Sequence, residues 1–130
     1  MEIKKQNNLL ELFYQQYLKE KPDQIFLKSL KNFENEFTWK ETYLNILKLS
    51  QELSSFIENK DRCLLISENR PEWMISDLAI MLSKGITVPA YTTYVERDYE
   101  YLINEEKNCF YNWYYRSRWF LFIRFFIKKI

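Results

Sequence analysis

Residues 63–88 read CLLISENRPEWMISDLAIMLSKGITV, and this stretch decides the fold. Cys63-Leu64-Leu65-Ile66 is a short continuous apolar run bounded by turn residues. It reads as a buried, parallel strand. Ser67-Glu68-Asn69-Arg70 is a polar loop. Pro71 fits the first turn of a helix, where an amide would have no intrahelical partner anyway. That helix is predicted to run to about Lys84. It should be well buried, because Trp73, Met74, Ile75, Leu78, Ala79, Ile80, Met81 and Leu82 spread over more than one of its faces. Gly85 stands where a helix C-cap takes a left-handed residue. Ile86-Thr87-Val88 makes a second strand, and Pro89 ends it or marks an edge. Strand, helix, strand points to an α/β sheet.

Toward the N-terminus, Thr38-Trp39-Lys40-Glu41 is a capping box, in which the Thr38 hydroxyl and the Glu41 carboxylate each satisfy a backbone amide of the first turn. A helix should follow to about Ile57, with Tyr43, Ile46 or Leu47, Ser50, Leu53 and Ile57 on one face. Before it, Gln24–Leu30 alternates as a strand, 31–36 is turn-like, and Phe37 begins a return strand, so a hairpin is expected. Asn8 can cap a first helix of about Leu9–Glu20, stopped by Pro22. Toward the C-terminus, Thr92 and Thr93 open a loop, and Glu96–Glu106 forms a last helix with Tyr99, Leu102 and Ile103 inward. Only two or three sheet strands are present, and a parallel sheet must be covered on both faces. The reading is therefore an incomplete sheet with covering helices, the start of a larger one.

Composition narrows the chemistry. The chain has 130 residues, which fits one domain or part of one. It has no histidine, one glycine and two cysteines. Without histidine there is no Ser–His or Cys–His catalysis and no common zinc site. One glycine excludes a Walker A loop, a G-x-G-x-x-G turn and a G-x-S-x-G elbow. Charge is nearly balanced, 19 Lys+Arg against 18 Asp+Glu, but unevenly spread. Residues 107–130 hold Lys107, Arg116, Arg118, Arg124, Lys128 and Lys129 and no acid, a charge of +6. Residues 1–106 hold 13 bases and 18 acids, a charge of −5. Ten of the 24 aromatics fall between Phe110 and Ile130. The break near 107 divides the chain into a body, 1–106, and a basic aromatic tail, 107–130. No signal peptide is expected, since Leu9-Leu10 is interrupted by Glu11. The longest apolar run of the tail, Trp119–Ile123, is too short to span a membrane, which takes about 20 residues. Cys63 and Cys109 read as free thiols of a cytosolic chain.

No residue carries a catalytic, cofactor-binding or metal assignment from the sequence. Asn69-Arg70-Pro71-Glu72 invites an anion at a helix start, but Glu68 and Glu72 oppose it and a helix-start role is favoured. Trp73 reads as core rather than as an adenine platform. Asp77, on an apolar helix, is expected to pair with Arg70 or Lys84. Tyr91 and Tyr94 offer a substrate-tunnel lining or ordinary loop packing. Cys63 is most simply a small hydrophobe.

Four segments in order, Phe37-Thr-Trp-Lys-Glu-Thr-Tyr43, Arg62-Cys-Leu-Leu-Ile-Ser-Glu-Asn-Arg-Pro-Glu-Trp73, Asp77-Leu-Ala-Ile80 and Gly85-Ile-Thr-Val-Pro-Ala-Tyr91, resemble the opening of AMP-forming acyl-CoA synthetases of the adenylate-forming superfamily. The Ser-Glu-Asn-Arg-Pro-Glu-Trp string looks most like the long-chain fatty-acid branch. The resemblance covers about Leu9–Glu106. Family members often carry glycine just before the position of Asp61, where this chain has Lys60. The resemblance implies an α/β fold opening the large N-terminal domain of such a ligase. It implies a two-step reaction: fatty acid and ATP give acyl-adenylate and pyrophosphate, then coenzyme A takes the acyl group, with magnesium on the nucleotide. Family chains place the Ser/Thr/Gly-rich phosphate loop with its lysine, the adenine-binding strand, the hinge aspartate and the C-terminal lysine further on. No such residue is located here, and none is carried over. The chain alone is expected to be inactive, cytoplasmic or loosely membrane-associated.

The match stops after about Asn104. The Phe, Tyr, Trp, Ile, Lys and Arg of the tail suggest a shifted reading frame in AT-rich DNA, hence a truncated pseudogene product or a sequencing artefact. The alternative is a small non-enzymatic module whose tail binds membrane surfaces or a partner. Scattered Arg116, Arg118 and Arg124 weaken an amphipathic anchor to a weak surface association, and the acidic body argues against nucleic acid.

Overall fold

The structure is a computed structural model, described here for residues 8–29, 36–105 and 109–113. Its elements follow the expected alternation: α1 (Leu9–Tyr17), β1 (Ile25–Lys28), β2 (Glu36–Thr38), α2 (Trp39–Leu53), β3 (Arg62–Ile66), α3 (Pro71–Leu82), β4 (Ile86–Ala90), α4 (Glu96–Glu105) and β5 (Cys109–Trp113). The α/β class is as read from sequence. Of the turn expected over 31–36, residues 31–35 lie outside the described residues and Glu36 opens β2, and the tail from 114 on lies outside them as well.

β1 and β2 form the antiparallel hairpin, with Lys28 and Glu36 opposite each other and joined as an ion pair. An aromatic cluster fastens the hairpin to the helices. Trp39 stacks on Phe26, with ring centroids 3.7 Å apart, and Phe13 of α1 lies 5.8 Å from Phe26 and 5.7 Å from Trp39. Aromatic pairs at such separations add to the burial of their area. Asn8 caps α1, its Oδ1 accepting from the Glu11 amide at 2.8 Å.

The capping box of α2 is complete. The Glu41 amide donates to Thr38 Oγ1 at 3.1 Å, and the Thr38 amide donates to Glu41 Oε2 at 2.9 Å. The backbone bond from Thr38, then its hydroxyl bond, holds the Glu41 carboxyl below its ordinary range. A depressed carboxyl contributes stability above the unfolded-state value and loses it as pH falls through the folded-state value. The wild-type thermal midpoint should therefore fall more steeply with acidification below about pH 4.5, the ordinary value, than that of Glu41→Gln. Equal slopes in thermal melts across pH 5 to 3 would count against this. Thr38→Ala should cost about 1 kcal/mol, read from urea midpoints.

Helix α2 ends four residues before the expected Ile57. Ser54 and Ser55 turn their hydroxyls back onto the carbonyls of Ser50 (2.7 Å) and Glu52 (2.6 Å). The amides of Ser55 and Phe56 bond three residues back, to Glu52 and Leu53, and so tighten the last turn. Of the expected face, Ile46, Ser50, Leu53 and Ile57 are buried and Tyr43 packs against the core; Trp39, Thr42 and Leu49 join them, while Leu47 is exposed.

The parallel sheet has the order β4-β3-β5. β3 pairs with β4 from Arg62↔Ile86 to Ile66↔Ala90 and with β5 from Arg62↔Cys109 to Ile66↔Trp113. Successive strand residues point to opposite faces, and Cys63, Leu64 and Leu65 are all buried, so β3 is covered on both sides. Strand β5 lies past the composition break at 107 and was absent from the sequence reading. Helix α3 lies against α2, and the Ser83 hydroxyl reaches Ala79 O (2.8 Å) and, across the interface, Ser50 O (3.0 Å).

The left-handed residue after α3 is Lys84 (φ 66), not Gly85 as expected. Gly85 is required for space instead. A Cβ there would stand 3.0 Å from Ile80 Cγ2, 3.2 Å from Cys63 Sγ and 3.3 Å from Ile57 Cγ2. Lys60, at the position where glycine was noted as the common residue, is also left-handed (φ 71). The two residues meet, Lys60 N donating to Lys84 O at 2.8 Å. A side chain with a Cβ is strained at positive φ. Lys60→Gly and Lys84→Gly should each therefore stabilise the chain by about 0.5–1 kcal/mol, glycine's greater unfolded-state freedom offsetting part of the relief. Unchanged or lowered urea midpoints would contradict the assignment.

Candidate functional site

In an open parallel sheet, ligands bind beyond the carboxyl ends of the strands where the strand order reverses. Here β3 connects through α3 to β4 on one side, and the chain then crosses over to β5 on the other. The switch lies between β3 and β5. The register brings the ends of all three strands level, since Ile66 pairs with both Ala90 and Trp113. The Ser67–Arg70 loop therefore leaves the central strand at the switch, and the loop beginning at Tyr91 leaves the neighbouring strand at the same edge.

The first loop is arranged to start a helix. Arg70 takes extended backbone at the N-cap, supplies no side-chain cap, and Pro71 follows in the first turn. Its guanidinium meets Glu72 Oε1 at 3.3 Å, both groups being partly exposed. Glu72 thus meets the one cation of the loop, which suits the helix-start reading better than an anion site. Asp77 does not pair as expected. It is buried on α3, and no ion pair joins it to Arg70 or Lys84 among the described residues. Arg70 sits at the helix's start and takes the nearer Glu72, while Lys84 lies past its end. Trp73 is half-buried in the first turn of α3 and stands outside the main core cluster.

The second loop is aromatic and open. Tyr91 is 71% exposed and meets Tyr94 edge-on, with ring centroids 5.5 Å apart. Tyr94 lies 5.9 Å from Tyr99, whose hydroxyl donates to Tyr91 O at 2.6 Å. Burial, then the neighbouring Tyr94 and Asp98, raise the Tyr99 phenol above its ordinary value. These tyrosines pack on one another, which is the loop-packing reading.

This edge does not fit a triphosphate with magnesium. No cluster of three or more metal-ligating side chains occurs among the described residues. The loop at the switch carries Glu68 as well as the paired Arg70, so its field does not favour an anion. What the edge provides is position: three level strand ends and a stiff helix start. The sequence reading found the string Ser67–Trp73 but not its place at the switch. That place depends on β5, whose Phe110, Tyr111 and Trp113 are strand formers but lie in the segment read only as a basic aromatic tail. Cys63 is buried in the core cluster, as a small hydrophobe would be. No helix of the described residues is long and apolar enough to cross a membrane.

Known structures share this architecture. The fatty acid AMP ligase from Legionella pneumophila superposes with a TM-score of 0.66 at 17% identity, over 77% of this chain and 18% of that one. O-succinylbenzoate coenzyme A synthetase from Bacillus subtilis, in complex with AMP, gives 0.64 at 15% identity, over 82% of this chain and 28% of that one. ATP-bound MatB from Rhodopseudomonas palustris gives 0.62 at 15% identity, over 74% of this chain and 19% of that one. At these identities the likeness is one of fold, and the chain spans only 18% to 28% of the length of these structures. No curated protein matches the sequence. The AMP-binding enzyme family matches residues 14–110, from α1 into β5. The strand order, the proline-initiated helix at the switch and this match together place the chain in the AMP-binding enzyme family, of which it is a member.

Proposed function

We propose that the chain is the opening portion of a long-chain fatty-acid–CoA ligase. The whole enzyme would take a fatty acid, ATP with magnesium, and coenzyme A, and would release acyl-CoA, AMP and pyrophosphate. The observation that carries the reading is the Ser-Glu-Asn-Arg-Pro-Glu-Trp string, which stands at the switch of an adenylate-forming scaffold. Membership of the family favours this reading over a small membrane-binding module. The chain's own part is structural: β3 and α3 hold the switch level and rigid, so that residues supplied elsewhere can meet an anionic nucleotide. Catalysis in such a reaction rests on positioning and on neutralising developing charge, and no described residue here supplies the cations. We place the protein in the cytoplasm, with at most loose membrane association.

Incubated with ATP, magnesium, palmitate and coenzyme A, the 130-residue chain should release no AMP above a protein-free blank. Turnover would overturn the scaffold reading. Joined to the remainder of its domain, it should release AMP with palmitate well above malonate or o-succinylbenzoate. The opposite preference would remove the fatty-acid assignment and leave the family intact.

A further inference from the structure

We propose that the reading frame departs by one base from that of the parent domain inside the purine run encoding Glu106-Lys107-Asn108, and that the displaced frame encodes the proper form of β5. The proposal rests on the ligase reading above. It is carried by a mismatch between where Cys109–Trp113 sits and what it is made of.

β5 lies beside β3 in a parallel sheet, with Asn112 opposite the buried Leu65. The sister strands read Arg-Cys-Leu-Leu-Ile and Ile-Thr-Val-Pro-Ala, as parallel strands tend to. In Cys-Phe-Tyr-Asn-Trp the aromatics suit a strand, but no β-branched residue is present and asparagine is disfavoured there.

The genetic code leaves few choices here. Asn108 to Tyr114 must be AAY, TGY, TTY, TAY, AAY, TGG and TAY, where Y is C or T. A frame one base ahead reads AYT, GYT, TYT, AYA, AYT and GGT. In order, these give isoleucine or threonine, valine or alanine, phenylalanine or serine, isoleucine or threonine, isoleucine or threonine, and glycine. With T at each choice, as AT-rich DNA favours, the result is isoleucine, valine, phenylalanine, isoleucine, isoleucine, glycine. That is a β-branched parallel strand. Its glycine falls at the position of Trp113, which pairs with Ile66 at the carboxyl end of the strand.

Two compositional deficits are repaired by the same shift. Residues 107–130 contain no glycine and no acid. Trp113 and Trp119 are each followed by a residue whose codon begins with T, so both become glycine. Arg116 and Arg118, if encoded AGA, become acids. The displacement has an obvious seat: Glu106-Lys107-Asn108 is GAR-AAR-AAY (R is A or G), which with A at both choices is an unbroken run of adenines.

The test is to read genomic DNA and transcript from the codon of Glu105 to well beyond that of Ile130. The displaced frame should be open throughout, with T as the third base at Asn108, Cys109, Phe110, Tyr111 and Asn112. A stop codon in that frame before the position of Ile130 overturns the proposal. So does C at those third bases, which would spell threonine, alanine, serine, threonine and threonine. An open displaced frame without a Ser/Thr/Gly-rich loop and its lysine would sink the ligase reading and leave the frame proposal standing. A closed frame does the reverse.

Discussion

Leu78→Ala is expected to lower stability by about 2–5 kcal/mol, the range for a large-to-small change at a fully packed site. Leu78 has no exposed surface and lies in the cluster formed by α1, α2 and α3 with Cys63 of β3. Its neighbours along the helix, Ile75 and Ala79, are buried in the same cluster, so collapse into the space left behind is restricted. A domain of this size has only about 5–15 kcal/mol in total. Urea titration should show a much lower midpoint, or a chain already unfolded in buffer. A midpoint within about 0.5 kcal/mol of wild type would mean that α3 is not packed as described.

Gly85→Ala should be costly for the opposite reason. The added methyl would press on Ile80, Cys63 and Ile57, which belong to a helix, a strand and a loop already in contact. Overpacking of this kind costs about 1–3 kcal/mol. Because Gly85 is not left-handed, backbone strain is not part of the penalty. This gives an internal control. In an Ile80→Ala background part of the Gly85→Ala loss should be recovered, since the closest contact, 3.0 Å, is to the Cγ2 methyl that alanine lacks. No recovery would shift the blame to Cys63 or Ile57.

Much of the fold could be read along the chain because its signals are local. Thr38 and Glu41 cap a helix three residues apart, Pro71 opens another, and Cys63–Ile66 is apolar without interruption. The misreadings came where distant residues decide. Whether Lys84 or Gly85 turns left-handed depends on the bond from Lys60 and on the crowd around Gly85. On α2, by contrast, the helical periodicity itself put Ile46, Ser50 and Leu53 inward. β5 was missed although Phe110, Tyr111 and Trp113 are strand formers, because they lie past the composition break in a segment read only as a tail. The candidate site suffered most. Its string was legible, but its place at the switch follows only from a strand order that no local pattern encodes.

The two left-handed lysines have a practical consequence. Lys60 and Lys84 stand at the entry to β3 and β4, while the Ser67–Arg70 and Tyr91 loops leave from the opposite ends of those strands. Engineering for thermal robustness commonly sacrifices activity because strain and chemistry share one locale. In this scaffold they are separated by the length of a strand. Glycine at both lysines should therefore toughen the fold for assay or crystallisation, with the business end left as nature built it.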